Sequence, residues 1–257
     1  MENPSEIFTK APDFHYSEEM NATSPEEFGK IIQNRRSIRV FTDEKVPQAV
    51  MEQVLDWALL APNSSNLQCW EFYWVKDPQK KSELVKACLN QPAARTAQEL
   101  IVCVARLNSW KRVRKEMIAY FKKQEKVPAP AIAYYEKLVP VAYSQGPLSI
   151  FGFGKRIFAT LVGLFRPIPR EPMSRADMRV WAHKTTALAC QNIMMGFSAH
   201  GFDTCPMEGL DSCRVKNILG LGRNAEIVMG IAVGKRDKKG LYGPRIRMPK
   251  EEFIKVI

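Results

Sequence analysis

Three short apolar runs, EFYWV at 71–75, LIVCVA at 100–105 and AEIVMGIAVG at 225–234, alternate with stretches of helical spacing, and this alternation limits the fold more than any other feature. Each run reads as a buried strand. Around them, Ser24 followed by Pro25, Glu26 and Glu27 marks a helix start: a capping hydroxyl, proline in the first turn, and acids at the positive end of the dipole. Phe28, Ile31 and Ile32 give that helix one apolar face. After Pro47, Met51, Val54, Leu55, Ala58 and Leu59 follow helical spacing up to a stop at Pro62. A polar helix over 78–88, a long apolar helix over 182–199 and a short one over 211–219 closed by Gly220 complete the pattern. With 257 residues and 46% hydrophobic content, the expectation is one large α+β domain, a sheet packed among helices, carrying an insertion.

The residues over 1–14 mix charges and prolines without an apolar block, which predicts neither a signal peptide nor an anchor and places the protein in the cytosol. Six cysteines lack any Cys-x-x-Cys spacing and lie mostly in apolar runs, so buried thiols are expected. His15, His183 and His200 form no metal-binding pattern. A net charge of +11 suits an anionic ligand, a nucleic acid or an acidic surface without choosing among them. No helix-turn-helix, zinc-finger or RNP-like pattern accompanies the charge, and KRVRK at 111–115 reads as a solvated helix face, so no nucleic-acid partner is expected.

The stretch over 107–177 holds a basic helix, a Pro/Ala segment at 127–133 and the run SIFGFGKRIFATLVGLF. The longest uncharged piece of that run, 157–165, falls short of the roughly 20 residues that cross a bilayer, so no transmembrane segment is expected. The aromatics with Lys155, Arg156 and Arg166 suit a lid or dimer-packing helix and leave peripheral membrane contact open.

Four further runs carry chemistry. RRSIRVF at 35–41 sets Arg35 and Arg39 four residues apart with the Ser37 hydroxyl between them, a phosphate clamp in prospect or a solvated cap. APNSSNLQCW at 61–70 offers small polar residues that leave room for an aromatic ring, with Asn66 and Gln68 able to hydrogen-bond it. CPMEGLD at 205–211 reads as a turn before an Asp-capped helix, and PRIRMP at 244–249 adds Arg245 and Arg247. Gly-x-Ser-x-Gly, phosphate-loop and dinucleotide fingerprints are missing: GFSAH at 196–200 fails at its last position and GFGK at 152–155 lacks the spacing.

In this order and spacing the four elements resemble the FMN-dependent nitroreductase family, over about 28–106 and 182–249. The resemblance implies an α+β nitroreductase-like fold, a central mostly antiparallel mixed sheet flanked by helices, assembled as a homodimer with FMN at the interface. It implies that Arg35, Arg245 and Arg247 hold the FMN phosphate, that Ser37 contacts the phosphate or ribityl end, and that Arg36 binds mainly through its backbone. Arg39 would lie near the pyrimidine carbonyl and stabilise negative charge there. Pro206, Met207, Glu208 and Gly209 would form a loop whose backbone amides, those of Glu208 and Gly209 above all, face the reactive edge. Pro62, Asn63, Ser64 and Asn66 would serve the partner's flavin, and Asn90 would approach the pyrimidine ring, although an Asn after a helix is commonly a C-terminal cap. The activity implied is ping-pong reduction of a nitroaromatic, quinone or related acceptor by NADH or NADPH, with no obligatory acid or base residue. Same-fold flavoenzymes with other chemistry, heterocycle dehydrogenation or flavin fragmentation, and a basic membrane- or partner-binding protein retaining the fold are the rival readings. Two departures from the pattern stand out: Cys69 replaces a proline, and the insertion over 107–177 is long.

Overall fold

The structure is a computed structural model that describes residues 17–124 and 129–257; the readings made for 1–14, for His15 and for 127–128 lie outside the described residues. Its centre is a four-stranded sheet in the order β1 (Trp70–Trp74), β2 (Glu99–Arg106), β4 (Ala225–Gly234), β3 (Asp203–Met207), with every pairing antiparallel. The three runs identified from sequence are β1, β2 and β4. β3 corrects the expected loop at 206–209: Pro206 and Met207 are strand residues, and only Glu208 and Gly209 lie beyond it. β3 is an edge strand, the place where a proline without an N–H is tolerated, and that same proline removes the strand signal from the sequence.

Strand alternation divides the core into two layers. Ile101 and Cys103 of β2 meet Ile231 and Val233 of β4 on one face, beneath α2 (Gln48–Leu59) and α6 (Arg175–Ala199), which contribute Met51, Val54, Ile193 and Phe197. Leu100, Val102 and Val104 face the other way, toward Leu84 and Ala87 of α3 (Pro78–Ala87) and Val215 of α7 (Ser212–Ile218). Gly196 permits the close crossing of α6 over α2, because a Cβ there would lie 3.1 Å from both Val54 and Trp57 side chains.

Two helices differ from expectation. α6 starts at Arg175, seven residues before the predicted start, because Ser174 and Asp177 form a reciprocal capping box that overrides the charged sequence between them. On α1 (Pro25–Asn34), capped by Ser24 as predicted, the apolar face stays uncovered: Phe28 and Ile32 are exposed and no residue of the helix is buried.

The insertion builds its own small core. Trp110 of α4 (Trp110–Lys122), Tyr135, Val139 and Tyr143 pack with Leu67, Cys69 and Trp181. KRVRK is not wholly solvated, since Val113 is buried and the half-buried Arg114 donates from Nη1 to the Tyr135 carbonyl at 3.2 Å. Beyond this core runs α5 (Ile150–Val162).

Candidate functional site

The segment after α1 is tied to the edge of the sheet by backbone bonds. Ser37 bridges Thr204 in parallel, Ile38 N–H donates to the Thr204 carbonyl at 3.1 Å, and Arg39 N–H donates to the Gly240 carbonyl at 2.9 Å. Ile38, fully buried, is the anchor of this segment. Gly240 fits because a Cβ there would lie 2.6 Å from the Val40 carbonyl oxygen. The C-terminal stretch then folds back over the same edge. Arg36 Nη2 donates to the Gly243 carbonyl at 2.7 Å, and Arg245 Nη2 donates to the carbonyls of Gln33 and Arg35 at 2.7 and 2.8 Å.

Arg35, Arg36, Ser37, Arg39, Arg245 and Arg247, drawn from both ends of the chain, thus collect at one sheet edge. Burial, then the like charges of Arg245, Arg247 and Arg36, pull the Arg35 guanidinium below the ordinary arginine range. Burial raises the Cys205 thiol, while the nearby charges of Arg39 and Arg35 pull it the other way. Arg39 lies over the Tyr242 ring, 5.1 Å from its centroid. Among the described residues none of these arginines pairs with a carboxylate; their contacts are backbone carbonyls and a ring. Gathered cations without counter-charge fit a polyanionic group such as the FMN phosphate. Tyr242 and Cys205 were not singled out as neighbours of this site by sequence; an aromatic two residues before Pro244 was the available signal for the first.

Past the end of β3, the strand that Ser37 and Ile38 join at Thr204, lie Glu208 and Gly209. Gln91 Nε2 donates to the Gly209 carbonyl at 2.6 Å, which sets the turn holding Asn90 next to this loop. Asn90 adopts φ 52°, and its N–H donates to the Val85 carbonyl at 3.0 Å, so its backbone closes the end of α3 as a left-handed cap. Burial lowers the proton affinity of His183, with the charges of Glu226 and then Glu208 opposing and that of Arg179 assisting.

Pro62, Asn63, Ser64 and Asn66 form a second group. Ser65, Asn66 and Gln68 all have positive φ, 56°, 47° and 42°, a conformation that non-glycine residues hold only when their surroundings impose it. The insertion supplies those constraints: Ser64 Oγ lies 2.8 Å from Tyr143 Oη, Ser65 Oγ 2.6 Å from Tyr134 Oη, and Tyr135 Oη donates to the Ser65 carbonyl at 3.0 Å. Within the loop, Asn63 Oδ1 accepts from Gln68 N–H at 2.9 Å. Pro62, Asn63 and Ser64 open onto a cleft of about 460 Å³ that Tyr143, Trp181 and Lys184 also line. The Ser64 and Ser65 side chains bond to the insertion, while those of Arg36, Arg39, Arg245 and Arg247 bond to backbone carbonyls of 33–37 and 243–246, so the predicted residues are anchored in two separate groups.

Cys69, packed with Leu67 and Trp181 in the core of the insertion, is buried, and burial pushes its thiol up to about 11, with the neighbouring Thr186 and Thr185 side chains opposing. Five of the six cysteines are buried as expected; Cys213 is exposed. No group of three or more His, Cys, Asp or Glu able to hold a metal occurs among the described residues.

A four-stranded antiparallel sheet flanked by helices, with an arginine cluster beside its edge strand, defines an α+β protein. The family model described as Nitroreductase family matches residues 32–235, and the chain belongs to that family. It is similar to the "NADH dehydrogenase" of Thermus thermophilus, 26% identical over 220 residues that cover 86% of this chain and 91% of the relative. Among solved structures it is similar to ydfN of Bacillus subtilis, with a TM-score of 0.72 and 21% identity over 90% of this chain and 99% of the other. A protein of Exiguobacterium sibiricum solved in complex with FMN has a TM-score of 0.63 and 22% identity, over 93% and 99% of the two chains.

Proposed function

We propose that the chain is an FMN-dependent oxidoreductase of the cytosol that takes electrons from NADH or NADPH and delivers them to a nitroaromatic, quinone or related small acceptor, working as a homodimer. The observation that carries this reading is the guanidinium cluster, without a carboxylate partner among the described residues, at the sheet edge of a nitroreductase-family chain. Bound FMN supplies the hydride-accepting and hydride-donating centre. The chain's own residues position and tune it.

Arg35, Arg245 and Arg247 hold the phosphate with the Ser37 hydroxyl, and the backbone of Arg36 adds to that end. The carbonyl contacts of Arg245 fix its guanidinium before any ligand arrives, which lowers the ordering cost of binding. Arg39 holds positive charge where the ring system gains negative charge on reduction, and its position over Tyr242 sets its direction. Pro206 and Met207 aim the chain from β3 into the Glu208 and Gly209 backbone, whose N–H groups donate to the reactive edge, and Asn90 lies next to them. Pro62, Asn63, Ser64 and Asn66 reach the partner's cofactor across the dimer, which accounts for their separation from the arginines in one protomer. Nicotinamide and acceptor use one pocket in turn, so ping-pong kinetics are expected.

The test is the visible spectrum of the purified protein, followed by NADH and NADPH oxidation with a nitroarene and a quinone. A flavin spectrum, FMN on release, and parallel double-reciprocal lines are the expected results. A colourless monomer that takes up no FMN overturns the reading. FMN with products of heterocycle dehydrogenation or flavin cleavage, and no acceptor-dependent turnover, replaces the activity while keeping the cofactor.

A further inference from the structure

Amphipathic helices of folded proteins turn their apolar side inward; α5 does the reverse. Gly152 and Ala159 face the protein, with Gly152 pressed against the Met173 backbone, and Lys155 points inward to cap carbonyls of Val141, Ala142 and Pro172 at 3.1, 2.8 and 3.0 Å. The opposite side and the turn that follows present Phe153, Ile157, Phe158, Leu161, Leu164 and Phe165, each between 48% and 89% exposed. At 100° per residue the outward arc from Phe153 through Ile157 and Leu161 to Phe158 contains no charged side chain. Contiguous apolar surface of this kind on a soluble domain marks something that covers it.

The charges around the face decide what does. Between Glu136 and Glu171 the sequence has no Asp or Glu, while Lys137, Lys155, Arg156, Arg166 and Arg170 are basic. Lys155 is turned inward, but Arg156, Arg166 and Arg170 are exposed at the rim. An apolar arc rimmed by cations complements an anionic bilayer surface, where acyl chains take the aromatics and lipid phosphates take the guanidiniums. Self-pairing through a two-fold axis would set the same cations against each other. No helix among the described residues is long and apolar enough to cross a membrane, so the contact is with the surface.

We infer that α5 and its C-terminal turn, 150–166 with Arg170, form a membrane-surface docking face for anionic lipid, with Phe153, Phe158 and Leu161 inserting below the headgroups. This face lies in the insertion, apart from the arginine cluster, and the inference does not rest on the redox reading.

The test is co-sedimentation of the full-length purified protein with vesicles. Binding to phosphatidylglycerol/phosphatidylcholine vesicles, weak binding to pure phosphatidylcholine, and weakening in high salt are expected. Phe153→Ser/Phe158→Ser/Leu161→Ser should lower partitioning by about tenfold or more, with the circular dichroism spectrum unchanged. Arg156→Gln/Arg166→Gln/Arg170→Gln, which leaves the apolar arc intact, should lower it by about tenfold and remove the preference for anionic lipid. No binding of the unaltered protein at low salt overturns the inference, as does partitioning that neither variant changes. A serine variant that alters oligomeric mass, in a protein that ignores vesicles, also overturns it and assigns the face to a second copy.

Discussion

The sheet edge at 33–39 with 240–247 and α5 with its following turn, in the insertion over 107–177, both carry several arginines that form no ion pair with a carboxylate among the described residues, yet they use them in opposite ways. At the sheet edge the arginines converge, held by backbone carbonyls and by the buried Ile38, so their positions follow from the core. On α5 the exposed cations stand apart around an apolar face, and the one inward cation, Lys155, is spent on carbonyls; burial lowers its proton affinity, with the charge of Asp177 opposing. Cation count therefore does not distinguish a small-molecule site from a surface. What distinguishes them is whether the backbone beneath is fixed by the sheet.

The largest test of that contrast compares one residue type in two settings. Phe197→Ala, at a fully buried position between α2 and the sheet, should lower unfolding stability by about 3–5 kcal/mol in denaturant titration. Phe153→Ala, on the outward side of α5, should change it by less than about 0.5 kcal/mol. A Phe153 effect as large as that of Phe197 would mean that the protein itself covers the α5 face.

Cys69 asks whether the insertion seals its own base. With burial pushing its thiol up to about 11, labelling by iodoacetamide at pH 8 should be slower than for exposed Cys213 by roughly a hundredfold or more, since the thiolate is the reactive form. Mass spectrometry of peptides from the labelled native protein reads this. Comparable rates would show that the insertion opens readily and that the two regions do not differ in rigidity as described.

For the arginine cluster, Arg35→Ala should weaken FMN binding by about tenfold or more, the effect of losing one charge-assisted contact of about 1.5–3 kcal/mol. Arg156→Ala, an equal loss of charge on the insertion, should leave FMN binding unchanged. Fluorescence titration of the apoprotein with FMN reads both. Equal losses would reduce the cluster to a general electrostatic field.

The sequence displayed most of the first region and little of the second. β1, β2 and β4 are legible because each is a short apolar run between helices, and the cation motifs at 35–39 and 245–247 are local patterns whose partners the sheet then joins. β3 was hidden by Pro206, whose missing N–H argues against a strand unless the strand is known to lie at an edge, and edge position is a property of topology. The grip of Tyr134, Tyr135 and Tyr143 on Ser64 and Ser65 was invisible for a related reason: hydroxyl pairs separated by about 70 or more residues leave no spacing to read. The uncovered sides of α1 and α5 show the complementary limit, since periodicity reveals that a face is apolar and not what lies against it.

Where α6 leaves the insertion, Ser174 and Asp177 cap its first turn, the joint between the two regions. The Asp177 carboxylate accepts from the N–H groups of Met173 and Ser174 at 2.9 Å each, while Ser174 Oγ accepts from Asp177 N–H at 3.1 Å. Partial burial would raise the carboxyl's pKa, but those bonds and the charge of Arg156 outweigh it and hold the group below the usual carboxylate range. A carboxyl held lower in the folded than in the unfolded chain contributes stability that is fully present above its unfolded pKa, near 3.9, and is lost as pH falls through the folded value. Asp177→Ala should cost about 0.5–2 kcal/mol at neutral pH, and the difference from the unaltered protein should shrink as pH drops below about 4. Asp177→Asn keeps an acceptor oxygen but cannot titrate, so it should retain much of the cap and lose this pH dependence. Denaturant midpoints measured at neutral and acid pH separate the two. A constant Asp177→Ala deficit across that range would show that the carboxylate's charge plays no part in fixing the start of α6, leaving the Ser174 hydroxyl to hold the joint alone.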